Sequence, residues 1–407
     1  MRSRIMTTAL ALGALVLAST ACTSEQPTTE AEQPTGEGHG AVAGAAELAE
    51  PRLGLTSIDP SGKVSHLDLL DETVSELGTI GAPTALHTDG RYLFAQTDAG
   101  VEIVDSGVWT WDHVDHFHYY RAEPRLLGTV AGAGPATVAT SNLSTSGGTG
   151  LFFPESGEAV LLDTEALAEG TVTEQFRKVT APGAGMVVPV GTFALVTEGS
   201  GPSASVVGYT SDGERTGLVE SCPEARGTIT TRVGAVIGCA DGALLASATG
   251  DSLAVERIPY PTGTTAPAAT SFDNREGRPT VAGSAGTEGI WMLDTRERSW
   301  SLLPAPAPLV HVTAVDDADE HVLALTDDGR VLVLDGNNGA VISETDPLVT
   351  ESVATGKTPT LVADQQRAYL SGPAERTLFE IDFADGARVA RTFDTGTEPA
   401  FTAETGR

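Results

Sequence analysis

The chain has 407 residues, a formal net charge of −31, 46 glycines and 23 prolines, and 19% of its residues are charged. This composition favours a turn-rich β protein over a helical or disordered one. Nucleic acid is excluded as a partner, because phosphate binding requires a positive face and the sequence has no Lys/Arg cluster. The acidity has two interpretations: it keeps an exported protein soluble, or it concentrates cations at the surface.

Residues 1–21 are predicted to be a signal peptide, with a short basic start, an apolar stretch and small residues before Cys22. Ser19-Thr20-Ala21-Cys22 is similar to a bacterial lipobox, which predicts a lipid on Cys22. Ser19 stands where Leu is usual, so cleavage without lipidation is the alternative. No other run approaches the roughly 20 apolar residues that span a bilayer. We therefore expect export, with a lipid anchor on the outer face of the cell membrane or a location in a periplasm-like space.

Residues 22–50 are predicted to be the lipidated cysteine and a disordered tether. From residue 23 this segment is rich in Thr, Glu, Gln, Pro and Gly and has no apolar periodicity. Residues 51–407 are predicted to form one domain.

That domain contains a repeat. A strand that ends in an acidic or small polar residue recurs roughly every forty residues, and turns such as Asp89-Gly90 separate the strands of each copy. The eight copies end near Asp68, Asp105, Asp163, Thr210, Ser247, Asp294, Asp335 and Asp382. The pattern predicts an all-β fold, a β-propeller of four-stranded blades. Eight blades are expected, with seven as the alternative because the copies at Thr210 and Ser247 are degenerate.

The two ends of the domain are predicted to pair. Residues 398–406 resemble the first strand of a copy, and residues 52–68 resemble later strands with no first strand before them. Pairing the N- and C-terminal strands would complete one blade, close the ring and remove exposed sheet edges.

Two further cysteines, Cys222 and Cys239, flank a turn-rich hairpin. An even number of cysteines in an oxidising compartment predicts a disulfide. The alternative is a two-thiolate metal site, although the Cys-x-x-Cys spacing typical of such sites is missing.

Metal-binding residue types are concentrated in the run Asp112-His113-Val114-Asp115-His116-Phe117-His118. Histidine and carboxylate are usual zinc ligands. In an extended chain His116 and His118 point to the same side and could chelate one ion, with a third ligand from His113 or Asp112. Alternatively, Asp112 and Asp115 could accept a hydrogen bond from a histidine ligand and orient it.

The surroundings of this run leave a second interpretation open. Five aromatic residues crowd it and predict a packed platform: Trp109, Trp111, Phe117, Tyr119 and Tyr120. A polar surface insertion with no metal function is the alternative. Of the other histidines, His66, His87, His311 and His321 fall in strands or turns, and any of them could be a remote ligand.

No catalytic residue is predicted. The sequence lacks a Gly-x-Ser-x-Gly elbow, a phosphate-binding glycine loop and a His-Glu-x-x-His motif. Residues 316–320 and 335–339 are similar to calcium loops only in composition and are predicted to be turns. We expect a protein that is not an enzyme, with a metal-using hydrolase or lyase as the enzymatic alternative.

Residues 107–127, with their Asp-His-x-Asp-His-x-His motif, resemble the AztD family, as do residues 222–227, 238–242 and 392–406. The family comprises exported zinc metallochaperones of β-propeller fold. The resemblance implies that the protein binds Zn²⁺ outside the cytoplasm and passes it to the solute-binding protein of a zinc ABC importer. It also implies a metal site at Asp112, His113, Asp115, His116 and His118.

The sequence departs from the family where channel-facing histidines would be expected. Thr137, Ala184 and Arg226 stand at these positions, so a second metal site would be lost or altered. The protein is expected to be a monomer. The alternative function is an interaction module of the cell envelope whose histidine run is vestigial.

Overall fold

The prediction of an all-β chain is confirmed by a computed structural model, which describes residues 40–112 and 116–407. Apart from strands it contains only short helical pieces, α1 (Thr164–Ala168), α2 (Thr350–Ala354) and two 3₁₀ turns. The described residues belong to one compact unit. In the part of the chain that the structure describes, no helix has the length and apolarity needed to cross a membrane.

The strands form nine antiparallel sheets, eight of which follow one another along the chain as sheets 1 to 8. The first strand, β1 (Ala46–Leu48), belongs to the ninth. Sheet 1 contains β2 (Gly54–Ile58), β3 (Lys63–Asp68) and β4 (Val74–Thr79). Sheet 2 contains β5 (Ala85–Thr88), β6 (Tyr92–Thr97) and β7 (Gly100–Asp105), is interrupted by β8 (Val108–Asp112) and β9 (Phe117–Arg121), and ends with β10 (Arg125–Val130).

Sheets 3 to 5 are regular four-stranded sheets. Sheet 3 contains β11 (Thr137–Thr140), β12 (Gly148–Phe153), β13 (Glu158–Asp163) and β14 (Glu174–Val179). Sheet 4 contains β15 (Val187–Val190), β16 (Phe193–Glu198), β17 (Ser205–Thr210) and β18 (Arg215–Ser221). Sheet 5 contains β19 (Thr228–Thr230), β20 (Ala235–Cys239), β21 (Gly242–Thr249) and β22 (Ser252–Pro259).

The last three sheets include one with three strands, sheet 6, which contains β23 (Thr280–Ser284), β24 (Ile290–Asp294) and β25 (Ser299–Leu303). Sheet 7 contains β26 (Leu309–Ala314), β27 (His321–Thr326), β28 (Val331–Asp335) and β29 (Val341–Glu344). Sheet 8 contains β30 (Leu361–Ala363), β31 (Ala368–Gly372), β32 (Thr377–Asp382) and β33 (Arg388–Asp394). The chain then returns to sheet 1 through β34 (Phe401–Thr405).

The two ends of the domain pair as predicted. β34 lies antiparallel to β2, with Gly54 opposite Thr405 and Ile58 opposite Phe401. The side chains of Thr56 and Thr405 share a buried hydrogen bond at this seam. Sheet 1 therefore contains strands from both ends of the folded chain.

The repeat read from the sequence corresponds to the sheets. Each of the eight predicted strands lies in a different sheet, namely β3, β7, β13, β17, β21, β24, β28 and β32. The copies at Thr210 and Ser247 are therefore the strands β17 and β21, and both belong to regular sheets. The side chains of β17 and β21 differ from those of the other copies, but their backbones form the same four-stranded antiparallel sheets.

The core consists of eight hydrophobic clusters, each lying between two consecutive sheets. One of them joins the last sheet to the first, with Leu55 and Leu67 packed against Tyr369 and Leu378. Because each sheet is covered on both faces, its middle strands are apolar on both sides. Every residue of β6 and of β27 is accordingly buried.

Sheet 6 has three strands because its connection from sheet 5 takes an irregular path. In this connection Asp273 forms a single antiparallel bridge to Ala282, and the backbone N–H of Arg275 donates to the carbonyl of Ala314 in sheet 7. The segment lies between sheets 6 and 7 and contacts both, so it does not form a fourth regular strand of sheet 6. It places Arg275 and Glu276 at the edge of a large cavity.

Cys222 and Cys239 form the predicted disulfide, which links the segment after β18 to the end of β20. The prediction of a tether up to residue 50 is wrong for its last part, since Ala46–Leu48 form a strand. That strand is stabilised by a partner distant in sequence, which a compositional argument cannot detect. Cys22 and the signal peptide lie outside the described residues.

Candidate metal centre

The ninth sheet carries the predicted metal-binding run, and we call it the hairpin sheet. Its strand order is β1-β9-β8, with Asp112 opposite Phe117 and Trp109 opposite Tyr120. The hairpin β8–β9 is inserted between the last two strands of sheet 2. Two of the predicted ligands, His113 and Asp115, lie outside the described residues.

The two faces of the hairpin have different surroundings. Side chains alternate along a strand, so Trp109, Trp111, His118 and Tyr120 share one face, and the ring of Trp109 stacks on that of Tyr120 at 5.3 Å. The other face lines the large cavity through Thr110, Asp112, Phe117 and Tyr119. The histidine face and the cavity face are therefore chemically separate.

His116 and His118 are brought together as the spacing predicts. Their Nε2 atoms lie 3.0 Å apart, and their ring centroids are separated by 4.8 Å. His116 is exposed and the side chain of His118 is 19% exposed. The pair can thus be reached from solvent while its ring nitrogens converge on one point.

Glu47 of β1 is a member of this site that sequence reasoning missed. Its Oε1 atom lies 2.7 Å from Nδ1 of His118. Glu47 is opposite Tyr120 in the register of β1 with β9, which places it on the histidine face. Because 71 residues separate Glu47 from His118, only the pairing of β1 with the hairpin brings them into contact.

Asp112 lies on the cavity face of the hairpin, whereas His118 lies on the histidine face. The carboxylate of Asp112 pairs with the guanidinium of Arg232 at 2.9 Å, on the cavity face of the hairpin. Alternation along β8 explains this placement. The ion pair joins the hairpin to the turn between β19 and β20.

A buried cation supports the base of the hairpin. The guanidinium of Arg91 is fully buried, stacks on the ring of Trp109 at 3.8 Å and donates two hydrogen bonds of 2.9 Å to Asp105. Arg125 donates a third to the same carboxylate. Burial opposes ionisation of Asp105, but these hydrogen bonds and the charge of Arg91 hold its pKa below the ordinary value.

Segments from both ends of the domain hold the hairpin, one on each of its faces. The indole N–H of Trp109 donates to the carbonyl of Gly40 at 3.1 Å, and the hydroxyl of Thr110 donates to the carbonyl of Gly406 at 2.7 Å. Gly40 has φ of 75°, and a Cβ atom there would lie 2.3 Å from the ring of Trp111. Only glycine fits this contact.

The cavity beneath the hairpin has a volume of about 1750 Å³ and a second cluster of metal-ligating groups. Asp317, Asp319 and His321 each offer an atom within 4.8 Å of the others, and Nδ1 of His321 is 2.6 Å from Asp317. The sequence predicts a turn here and offers His321 only as one of four histidines that could be a remote ligand of the histidine run. Residues 318–319 form a turn between Asp316 and Glu320, which both have positive φ, so the alternation of an extended chain could not have revealed this cluster.

Glu276 lies at the same cavity. Burial, together with the nearby carboxylates of Asp89 and Glu404, raises its pKa to about 8, although the charge of Arg407 acts in the opposite direction. This shift favours the protonated carboxyl, although Glu276 remains accessible to the solvent of the cavity.

The remaining histidines are distributed over the sheets. Nδ1 of His66 is 2.9 Å from the hydroxyl of Thr56, His87 lies on β5, and Nε2 of His311 is 2.6 Å from Asp273. None of the three contacts the His116–His118 pair among the hydrogen bonds of the described chain. These contacts therefore do not support a role for His66, His87 or His311 as a remote ligand of the metal site.

Thr137, Ala184 and Arg226 occupy equivalent places in three consecutive sheets. Thr137 begins β11, Ala184 lies shortly before β15, and Arg226 lies shortly before β19. These are the starts of the first strands of sheets 3, 4 and 5. This chain has no imidazole at any of the three positions.

The fold and the site together define an all-β protein of propeller type with an accessible histidine pair on an inserted hairpin. The structure is similar to the crystal structure of AztD from Citrobacter koseri, with a TM-score of 0.74, 20% sequence identity and coverage of 88% of this chain and 98% of that chain. The structure of apo AztD from the same organism gives a TM-score of 0.72 with the same identity and coverage.

The resemblance to AztD noted in the sequence is thus confirmed for the fold. No protein-family model matches the chain. No curated protein matches it in sequence.

Proposed function

We propose that this protein is an exported zinc metallochaperone of the AztD type, and that His116 and His118 are the central ligands of its zinc site. The observation that carries the proposal is the 3.0 Å separation of their Nε2 atoms. Two imidazoles on a tetrahedral zinc, with Zn–N bonds of about 2.0–2.1 Å, have nitrogens about 3.3 Å apart. A small rotation of either ring therefore admits the ion.

The other ligands are proposed to come from the residues between β8 and β9 in the chain. His113 and Asp115 complete the coordination in this proposal, while Asp112, paired with Arg232, anchors the hairpin. Because His116 is exposed, ligands at this site can be exchanged one at a time for those of another protein. This accessibility suits transfer of the ion better than permanent structural binding.

The eight sheets provide the support for this site. We infer that they are the blades of a closed eight-bladed propeller. The eight clusters between consecutive sheets and the pairing of β34 with β2 support this inference. A rigid body of this kind holds the hairpin in place, and the protein is proposed to act as a monomer without catalysis.

The place of action is proposed to be outside the cytoplasm. The disulfide between Cys222 and Cys239 supports an oxidising compartment, and the lipobox at Cys22 predicts an anchor on the outer face of the membrane. Cell fractionation of a Cys22→Ala variant tests the anchor. The variant is expected in the soluble exported fraction, and its retention in the membrane fraction would contradict lipidation.

Zinc titration of the metal-free protein tests the site. Calorimetry should show zinc uptake by the wild type and its loss in the double variant His116→Ala/His118→Ala. His87→Ala is the matched control, because it removes an exposed imidazole from β5 and should leave uptake unchanged. Equal uptake by the double variant would overturn the proposed site.

Hand-off requires a separate experiment. The zinc-loaded protein is mixed with the metal-free solute-binding protein of a zinc ABC importer, in the presence of a chelator that captures free zinc. Direct transfer predicts that zinc still reaches the solute-binding protein. An interaction module would instead bind its partner equally well after zinc has been removed, with no movement of metal.

A further inference from the structure

We propose that Glu47 is a positioning residue of the zinc site, and that retention of zinc depends on docking of the N-terminal strand that carries it. This inference rests on the proposed zinc-binding function and assigns control of it to residues 40–48, which we call the strap. The strap contains Gly40 and β1 and lies along the outer edge of the hairpin.

The contact between Glu47 and His118 has a defined chemical effect. A carboxylate 2.7 Å from Nδ1 accepts a hydrogen bond from the N–H of that nitrogen. This selects the tautomer in which the lone pair is on Nε2, the atom that faces His116. A histidine ligand held in this way has both its tautomer and its ring orientation set before the metal arrives.

The strap is attached much more weakly than the hairpin itself. β1 pairs with β9 over only three residues, Ala46 with Arg121, Glu47 with Tyr120 and Leu48 with Tyr119. It is also attached by the Glu47–His118 contact, the hydrogen bond from Trp109 to Gly40 and the packing of Gly40 on Trp111. In contrast, the base of the hairpin rests on the fully buried Arg91.

Local opening follows the number of buried contacts and hydrogen bonds that must be broken. The strap can therefore leave β9 while β8 and β9 stay paired and the eight sheets stay folded. Its departure removes the carboxylate from His118 but leaves the two imidazoles in place. Zinc is then held by ligands that are no longer oriented, which favours release.

Substitution of Glu47 tests the positioning role. Glu47→Ala should accelerate zinc dissociation by about 10–100-fold, the usual effect of removing the partner of a histidine ligand. Glu47→Gln keeps an acceptor oxygen and should have an intermediate effect. Glu50→Ala, which removes an exposed carboxylate from the same segment, is the matched control and should behave as wild type.

Nitrogen-15 NMR of the imidazoles supplies a readout that a merely structural role would not change. In the metal-free wild type, His118 should carry its proton on Nδ1, and this preference should be lost in Glu47→Ala at an unchanged Tm. Unchanged tautomer and dissociation rate in this variant would overturn the inference. If the histidine double variant also binds zinc normally, the proposed function has failed as well, so the two failures are distinguishable.

A reversible lock tests the dependence on docking. Ala46 and Arg121 are directly paired, and Ala46→Cys/Arg121→Cys in a Cys22→Ala background allows one new disulfide to tie the strap to β9. The oxidised form should release zinc more slowly than the reduced form of the same protein. Equal release rates would show that detachment of the strap has no part in zinc release.

Discussion

The eight sheets and the hairpin sheet are held together by different forces. Consecutive sheets share clusters of fully buried apolar side chains, such as Trp291 and Leu293 between sheets 5 and 6. The hairpin sheet is held mainly by polar contacts, through the buried Arg91, the exposed ion pair of Asp112 and the hydroxyl of Thr110. Its histidine face buries Trp109 and Tyr120, while His116 is exposed to solvent.

This difference separates stability from metal chemistry. Apolar burial is non-directional and cumulative, so the eight sheets supply the free energy of folding. Polar contacts specify orientation at modest net energy, which is what a site for a transferable ion requires. Substitutions in the eight sheets should therefore mainly change stability, and substitutions in the hairpin sheet should mainly change zinc binding.

The largest loss of stability is expected for Trp291→Ala in the body. Trp291 is fully buried, stacks near Tyr260 at 4.5 Å and donates its indole N–H to the carbonyl of Pro267. The variant should lose about 3–5 kcal/mol of unfolding free energy in denaturant titrations. Zinc affinity, measured where the variant is folded, should match the wild type.

Ile342→Ala is the control for this prediction, because Ile342 is 54% exposed on β29 and should change stability by less than about 0.5 kcal/mol. If the Trp291 variant is fully folded but fails to bind zinc, stability and zinc binding are not separate properties of the two regions.

A smaller loss, with an effect on both properties, is expected for Arg91→Met. Arg91 lies where the two regions meet, and its removal leaves Asp105 buried with Arg125 as its remaining cation. The variant should lose about 3 kcal/mol of stability, and zinc binding should weaken because Trp109 loses its support.

Arg330→Met is the control, since its ion pair with Asp328 is exposed and is worth about 0–1 kcal/mol. Chemical denaturation and zinc titration of the same samples measure both quantities. If Arg91→Met lost stability but kept the zinc affinity of the wild type, Arg91 would not be the residue that supports the hairpin.

Asp112→Asn and Arg232→Gln are expected to have still smaller effects. Both break one half-exposed ion pair and should cost about 1 kcal/mol or less. If Asp112 anchors the hairpin, the two variants should have equal, slight effects on zinc affinity, and the double variant should add nothing. A loss of affinity in Asp112→Asn alone, as large as that in His118→Ala, would show that Asp112 is a ligand.

The smallest expected effect is a change in the pH dependence of stability at Glu276. Its pKa is raised to about 8 in the folded protein, above the ordinary value of about 4.3. Between these values the folded state holds a proton that the unfolded chain releases, so stability falls as the pH rises. Solvent in the cavity reduces the size of this effect.

Glu276→Gln should remove that part of the slope, which a series of Tm measurements from pH 5 to about pH 8 would detect. Relative to wild type, the variant should therefore gain Tm as the pH rises. Parallel Tm curves for wild type and Glu276→Gln would show that the carboxyl is ionised in the folded protein.

Local chemistry of the chain was sufficient for much of the fold. Alternating apolar runs and Asp-Gly turns predict strands and hairpins from neighbouring residues alone, and recurrence of the pattern identifies all eight sheets. The same period of two placed His116 and His118 on one side of an extended strand. The similarity of the C-terminal residues to a first strand predicted the pairing of β34 with β2.

Tertiary structure decided what depends on contacts between distant residues. Glu47 reaches His118, Arg232 pairs with Asp112, and residues 46–48 become a strand only because another strand lies beside them. The irregular path of Asp273 between sheets 6 and 7 likewise follows from its neighbours in space. Sequence determines local conformation through sterics and periodicity, whereas the partner of each polar side chain is selected when the sheets assemble.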